Sequence, residues 1–564
     1  MSAHQHLHHH EHHLSPPQRL RGWLRSESTE LWVAVIYSVA IGLLSLVVPV
    51  AVQSVVNTIA FGTVLQPLVF LTLAVLAGLG FSAVLQALRT YVVEMMQRRI
   101  FVRVATNSLS RLLRARVDAF DAHHGPELVN RFLDVVTVQK AGAILLLDGL
   151  TIFMQTVMGM LLLAVYHPWL LAFDLVLLVC IVIILFPMGR GAIDTAVKES
   201  KAKYSLVAWL EEVARWQATF KSTLGASFAV ERTDALVSEY LGYRAKHFRI
   251  LLRQISASLL LHALASSALL GVGGLLVINR QLTLGQLIAA ELVVTLVVSG
   301  FSKFGKQLET FYDLNAAVDK LGYLTDLPLE DKGDDALPAV ERGAAIRLTD
   351  VSFSYGNGRQ TLSGVNLDLR AGARIGITGF GKSTLLDVIY GLRQPSAGTV
   401  EVDGYDIREV RLDHLRSQIA MVRAPEIFQG TIADNLKLGS SSVTTANIRA
   451  ALEIVGLLED VQALPDTTQT ELQTGGLPLS PSQGIRLMVA RAILQSPRVL
   501  LLDESLDQLE TAAARVSLAR ALFREMPGAT TVVVSSKREI LELCDAVYDL
   551  RNGRLDKLNE LVTQ

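Results

Sequence analysis

Six apolar runs punctuate the first half of the chain, at Leu31–Val56, Leu68–Leu88, Ile144–Tyr166, Trp169–Met188, Ile255–Ile278 and Leu284–Phe304. Crossing the hydrocarbon core of a bilayer takes about 20 such residues in a helix, so each run is read as a membrane span. The links alternate in length. Those after the second and fourth spans run about 55 and 65 residues, and the other three are short. Nine Lys or Arg lie between Arg89 and Ile144 and eleven between Arg190 and Arg253, whereas the short links hold only Arg280. Basic residues stay on the cytoplasmic side, which puts the long links and both termini there. Both long links keep a helical period, so they read as helical hairpins reaching roughly 37 Å into the cytosol. The first is expected to turn near Ala122-His123-His124-Gly125-Pro126, and the second near Gln217–Ser227, where Gly225 interrupts the pattern. Hairpins of that length make sense as levers that touch something in the cytosol.

Past Phe311 the chain turns polar, and Leu327–Ala344 reads as a linker. From Ile346 onward short apolar strands alternate with helical patterns, which implies a soluble α/β domain. The fold class is therefore an all-α six-helix transmembrane domain plus a cytosolic α/β domain, of the P-loop NTPase kind because Gly376–Ser383 within it has the P-loop spacing. The expected divisions are 1–30 for a His-rich tail and amphipathic elbow, 31–315 for the membrane domain, 316–344 for a linker and 345–564 for the NTPase domain.

Composition agrees with this division: 51% of the 564 residues are apolar, and mean hydropathy is +0.38. A net charge of −1 and the lack of a large basic block disfavour a nucleic-acid partner. The two cysteines, Cys180 and Cys544, fall in different halves and read as free thiols of a reduced, cytosol-facing protein. Seven of the first thirteen residues are His. Either they bind metal or they form a tail, native or left from cloning, with no function; the segment does not read as a signal peptide. In the stretch that follows, Leu20, Trp23 and Leu24 share one helical face among Arg19, Arg21 and Arg25. That pattern suits an amphipathic helix in the headgroup region, with a solvated linker as the alternative. Asp174, His262 and Glu291 sit inside spans, where they either line a substrate path or pair near helix ends. Pro49 and Pro187 are read as shaping helix ends or kinks.

The chemistry is concentrated in two segments. Gly376-Ile377-Thr378-Gly379-Phe380-Gly381-Lys382-Ser383-Thr384 has the P-loop spacing, with an apolar strand before it and an apolar helix after it. Glycines let backbone N–H groups close around phosphates, and the helix N-terminus adds partial positive charge. Lys382 would reach the β- and γ-phosphates and Ser383 would ligate Mg²⁺. About 120 residues on, Arg498–Glu504 reads as a buried strand ending in two acids. Asp503 would hold Mg²⁺ through water, and Glu504 would orient or deprotonate the attacking water.

With these motifs in that order, the chain resembles the ABC exporter half-transporters over nearly its whole length. Tyr355, closing Val351-Ser352-Phe353-Ser354-Tyr355, is similar to the family's A-loop aromatic, which stacks on adenine. Phe428–Ile432 with Asn435 resembles the segment after the Q-loop, and Gly475–Leu494 resembles the signature region. The first span and the stretch around Gly125–Lys140 look like those of peptide- and protein-secretion exporters, although no peptidase domain precedes them. The resemblance implies ATP and Mg²⁺ as cofactors. It also implies a second half-transporter as partner, identical or not, in which Ser480 and Gln483 complete the opposite ATP site. A multi-pass protein of the bacterial plasma membrane follows, with its ATP-binding domain in the cytoplasm and an unidentified substrate.

Four positions depart from the family pattern. The signature reads Leu479-Ser480-Pro481-Ser482-Gln483, where Pro481 removes a donor and Ser482 adds a side chain. Val422-Arg423-Ala424-Pro425 lacks the Q-loop glutamine. Ser536 and Lys537 stand where a switch histidine would follow the last strand. Ser505-Leu506-Asp507 follows Glu504 about three residues early. Nucleotide binding is expected to survive, and hydrolysis to be slow or partner-dependent. The reading is ATP-driven export by a dimer; the alternative is an ATP-binding membrane regulator or scaffold that no longer transports.

Overall fold

The computed structural model describes residues 16–60, 65–121 and 125–558, apart from 332, 339, 341, 342 and 357. The His-rich tail and the proposed turn at 122–124 lie outside the described residues. Two compact units emerge, one made of the described residues to Ala115 plus Phe120–Pro328, the other of Leu329 onward plus Arg116–Ala119.

The first unit is all helix: α1 Pro16–Ser26, α2 Ser28–Leu44, α3 Val47–Ala60, α4 Leu65–Arg114, α5 Gly125–Asn130, α6 Asp134–Ile144, α7 Leu150–Tyr166, α8 Pro168–Leu185, α9 Ala192–Arg215, α10 Gln217–Phe220, α11 Thr223–Ile278 and α12 Leu284–Thr325. Among the described residues five helical stretches are long and apolar enough to cross a membrane; the sixth expected span is the shorter apolar stretch Leu284–Val297 that opens α12. Large apolar side chains such as Phe70, Leu76, Val165 and Leu264 point outward, as suits a surface facing lipid rather than water. With 50 and 56 residues, α4 and α11 measure roughly 75 and 84 Å, far beyond a hydrocarbon core of about 30 Å.

Helix ends follow local chemistry. His167 caps α8 ahead of Pro168, and Thr283 with Gln286 forms a capping box at the start of α12. Pro49 stands in the first turn of α3, just past the break that divides the first span, and Pro187 follows α8. Gly225, however, does not break the second hairpin. The break falls at Trp216 and again at Lys221–Ser222, and Gly225 sits inside the first turn of α11, its N–H held by the Ser222 hydroxyl at 3.0 Å. A Cβ there would come within 2.4 Å of the Thr219 carbonyl, so glycine permits the tight reversal rather than ending a helix.

The elbow α1 forms as a helix, and part of its apolar face turns inward. Leu20 and Trp23 pack against Leu314, Ala317, Val318 and Leu321 of α12. Arg19 is buried, ion-paired with Asp326 and donating to the Asp319 carbonyl at 3.1 Å. Asp174 is buried on α8, and neither of its oxygens meets a hydrogen-bond partner among the described residues.

The second unit holds two main sheets. A four-stranded antiparallel sheet runs Gln360–Leu369, Ile346–Ser354, Ala397–Val402, Tyr405–Asp406. A six-stranded sheet has the order Arg554–Leu558, Ala546–Arg551, Arg374–Gly379, Thr530–Val534, Val499–Asp503, Ile419–Val422, parallel except at its Arg554–Leu558 edge. The continuous apolar strands of this sheet are buried, as befits strands covered on both faces. Val534 pairs with both Ile377 and Asp503, so the carboxyl ends of the P-loop strand and the acidic strand reach the same edge. In open α/β sheets, that edge is where ligands bind.

Candidate functional site

The strand Arg374–Gly379 turns through Gly379 (φ +97°) and Gly381 (φ +91°) into the helix Lys382–Ile389. A Cβ at Gly379 would stand 2.2 Å from the Leu550 carbonyl, so both the dihedral and the packing demand glycine. The expected phosphate loop from Gly376 to Ser383 is not one loop. Gly376 to Gly379 are strand residues paired with neighbouring strands, and a Cβ at Gly376 would meet the Leu541 side chain at 2.7 Å. Only Phe380 and Gly381 therefore link strand to helix, with the Phe380 N–H spent on the Leu550 carbonyl at 2.9 Å. Thr378 lies in the same strand opposite Asp549, and Phe380 stands at the loop tip, 87% exposed.

The expected phosphate and acid residues converge. Lys382 Nζ lies 3.1 Å from Glu504 Oε1, and the Ser383 hydroxyl donates to Asp503 Oδ1 at 2.9 Å. Glu504 adopts φ +52°, uncommon for a non-glycine residue, and its N–H donates to the Val534 carbonyl at 3.0 Å. Tyr355 Oη bonds the Thr384 hydroxyl at 2.9 Å, and the Tyr355 ring meets Phe353 edge-on. Beside the loop, Tyr355, Thr361, Phe380 and Asn552 help line a hollow of about 550 Å³.

Ser480 and Gln483 are brought together by their own helix, Pro481–Gln495. Ser480 accepts from the Gln483 N–H at 3.2 Å and Gln483 Oε1 accepts from the Ser480 N–H at 2.9 Å. Pro481 occupies the first helical position, where a missing N–H costs the helix nothing. The short loop after Glu504 is likewise well held: Asp507 accepts from the Ser535 hydroxyl and from Ser536, whose N–H lies 2.8 Å away. Serines just past the strand Thr530–Val534 thus anchor the loop after the acids.

Sequence reading missed Arg423, Asp387 and Arg393. Arg423 Nε lies 3.0 Å from Asp503 Oδ2, and its other end is ion-paired with Asp387. Arg393 pairs with the far oxygen of Asp387 at 3.3 Å and sets its guanidinium 4.8 Å from the Tyr355 ring centre. No local pattern links them; the register of the folded sheet does, since Val422 pairs with Leu502 and the next residues bring 423 beside 503. Burial raises the Asp503 carboxyl above its ordinary pKa, opposed by the Ser383 hydrogen bond and the Arg423 charge.

These residues do not fit the Mg²⁺ expected at Ser383 and Asp503. That ion demands a near-octahedral shell of oxygens at about 2.0–2.1 Å and keeps several waters. Here the Asp503 oxygen turned away from Ser383 faces the Arg423 guanidinium, where a water of that shell would have to sit.

Residues 31–300 match the ABC transporter transmembrane region, and residues 362–507 match the ABC transporter family. An ATP-dependent lipid A-core flippase of Burkholderia thailandensis is 28% identical over 498 residues, covering 86% of this chain and 82% of its own length. The cyclolysin secretion/processing ATP-binding protein of Bordetella pertussis is 24% identical over 530 residues, covering 92% of this chain and 73% of its own. A bacterial Atm1-family ABC exporter, solved with ATP bound, shares the fold at a TM-score of 0.77, covering 94% of each chain at 21% identity.

Proposed function

Since the chain belongs to the ABC transporter family and is an ATP-driven exporter half-transporter with a transport-coupled ATPase, we propose that hydrolysis at its own site is slow or partner-dependent. ABC exporters work as dimers, and the proposed partner is a second half-transporter, either another copy or a related chain with an intact signature.

The observation that carries this reading is the convergence of Lys382, Ser383, Asp503 and Glu504 beside an altered surround. Lys382, at the start of its helix, is placed to meet the outer phosphates of ATP. Tyr355 offers a ring for the adenine. Glu504 is the group that would align and deprotonate water. Pro481 and Ser482 would weaken the site that this signature completes in the partner. The absent Q-loop glutamine and switch histidine would weaken the chain's own site. Losing one donor preorganised for transition-state charge costs about 10²–10³ in rate, and such losses do not multiply within one site. Starting from a typical turnover of about 10 s⁻¹, the chain alone should hydrolyse at about 0.01–0.1 s⁻¹.

The protein is a multi-pass membrane protein. We place it in a bacterial plasma membrane, with the basic links, both termini and the nucleotide-binding part cytoplasmic, because eleven basic residues crowd the second long link alone. The flippase and the cyclolysin-secretion relatives point to different cargoes, a lipid and a protein. A cavity of about 1110 Å³ among α7, α8 and α12, walled by Phe153, Val157, Leu178, Val182 and Phe311, fits a cargo with a hydrocarbon portion.

The test is ATPase turnover of the purified chain in lipid nanodiscs, beside Glu504→Gln. The expected result is slow turnover that Glu504→Gln lowers a further ~10²-fold or more, with ATP affinity kept. Turnover near 10 s⁻¹ by the chain alone would refute the impairment. Turnover indifferent to Glu504→Gln would refute the role given to that carboxylate.

A further inference from the structure

The position that lacks the family's glutamine is not vacant chemically. Register places Arg423 one step beyond Val422, directly across from Asp503 at the carboxyl edge of the sheet. Its guanidinium lies between two acids from different segments: Asp503, 3.0 Å from Nε, and Asp387 of the P-loop helix. Both acids are nearly buried, with side chains 7% and 10% exposed, and the Arg423 side chain is 25% exposed. Asp387 itself is shared with Arg393 at 3.3 Å. Arg423 therefore sits on a built platform of two carboxylates, with part of its surface still open to a ligand.

That platform occupies the ground where a divalent cation would bridge Ser383, Asp503 and the outer phosphates. A dication and a guanidinium only a few Å apart repel strongly in a partly buried site. A hydrated cation beside Asp503 needs the space that the Arg423 guanidinium fills, and Arg423 is also held by Asp387. A guanidinium, in turn, is well made for phosphate: it stays charged, is weakly hydrated and presents five donors in a planar fork.

Resting on the reading of this site as one for ATP, we infer that Arg423 takes the charge-neutralising place of the divalent cation. ATP then binds through Lys382 and Arg423 without a metal ion. Asp387 and Asp503 hold the guanidinium in position. The cost is hydrolytic, because a fixed monocation neutralises less charge on the phosphates than a dication bound to them directly. Slow turnover is then a consequence of how the nucleotide is held, in addition to the altered signature.

The experiment uses the full chain in lipid nanodiscs and measures binding rather than turnover. ATP affinity is determined by calorimetry in excess EDTA and in excess Mg²⁺. Mn²⁺, a paramagnetic stand-in, is then titrated with ATP present and followed by electron paramagnetic resonance. The expected affinities agree within about threefold, and the wild-type chain retains no Mn²⁺ beyond what free ATP binds. Arg423→Gln should bind Mn²⁺ with ATP at least about tenfold more tightly than wild type. Retention of one Mn²⁺ per bound ATP by the wild type overturns the inference, as does an affinity falling about tenfold or more in EDTA. Absence of Mn²⁺ binding in both wild type and a folded Arg423→Gln variant removes the role assigned to Arg423. Loss of ATP binding with and without metal is a different failure, which overturns the nucleotide-site reading and this inference with it. The wild-type measurements decide the matter even where the variant does not fold.

Discussion

Asn435 shows how much one buried amide does for the loop that carries Arg423. Its side chain is fully buried, donates to the Phe428 carbonyl at 2.9 Å and to the Thr431 carbonyl at 3.2 Å, and accepts from the Phe428 N–H at 3.2 Å. Arg491 adds bonds to its side-chain oxygen and its carbonyl. Removing the amide leaves several of these groups buried and unpaired, at about 1–3 kcal/mol for each. Asn435→Ala should therefore lower the denaturation midpoint of the nucleotide-binding unit and open residues 423–429 to protease. Unchanged protease resistance would show that the loop is held by other contacts. Cys544 is quieter: burial pushes its thiol up to about 12, so it stays protonated and unreactive at neutral pH.

At the scale of elements, the seating of α1 on α12 depends on a single missing side chain. Arg19 crosses α12 at Gly322, where a Cβ would fall 1.0 Å from Arg19 Nη1, and this close approach lets the guanidinium reach Asp326 and the Asp319 carbonyl. An alanine already collides, and a larger side chain evicts Arg19 and with it Leu20 and Trp23. Gly322→Leu is expected to raise amide hydrogen exchange over residues 17–26 by about tenfold or more, with the rest of α12 little changed. Exchange equal to wild type would mean that the elbow is seated by its apolar face alone. Only the glycine and arginine identities were visible in the sequence. They lie 303 residues apart, and no local pattern links them.

For the whole molecule, the central question is whether the two ATP sites of the dimer are alike. In a dimer of this chain, Pro481 and Ser482 would impair both sites; beside an intact partner they would impair one. Pro481→Gly with Ser482→Gly separates these cases. Turnover of the chain alone should rise by about tenfold or more if two copies complete each other's sites. No rise in the chain alone, together with stimulation by a co-expressed partner, would point to an unlike pair. The double change also removes a proline well suited to the first helical position, so its stability must be followed in parallel.

Sequence by itself determined the membrane spans and the acidic strand, because each is a demand on one continuous segment. Crossing a bilayer needs about 20 apolar residues in a row, whereas the glycine spacing from Gly376 to Gly381 misled, because Gly376 lies inside its strand and only sheet pairing shows it. The departure of Leu479–Gln483 from the family pattern was equally legible, since it is five consecutive residues. Tertiary structure alone decided which of these segments meet. Asp387, Arg423 and Asp503 lie on a helix, a loop and a strand far apart along the chain, and only sheet register brings them together. The same holds for Arg19 with Asp326. Pro481, read in sequence as a lost donor, proves also to be the first residue of a well-capped helix. What looked from the sequence like a missing glutamine is, in three dimensions, an arginine held by two acids, because the charge of a site is set by neighbours in space and not along the chain.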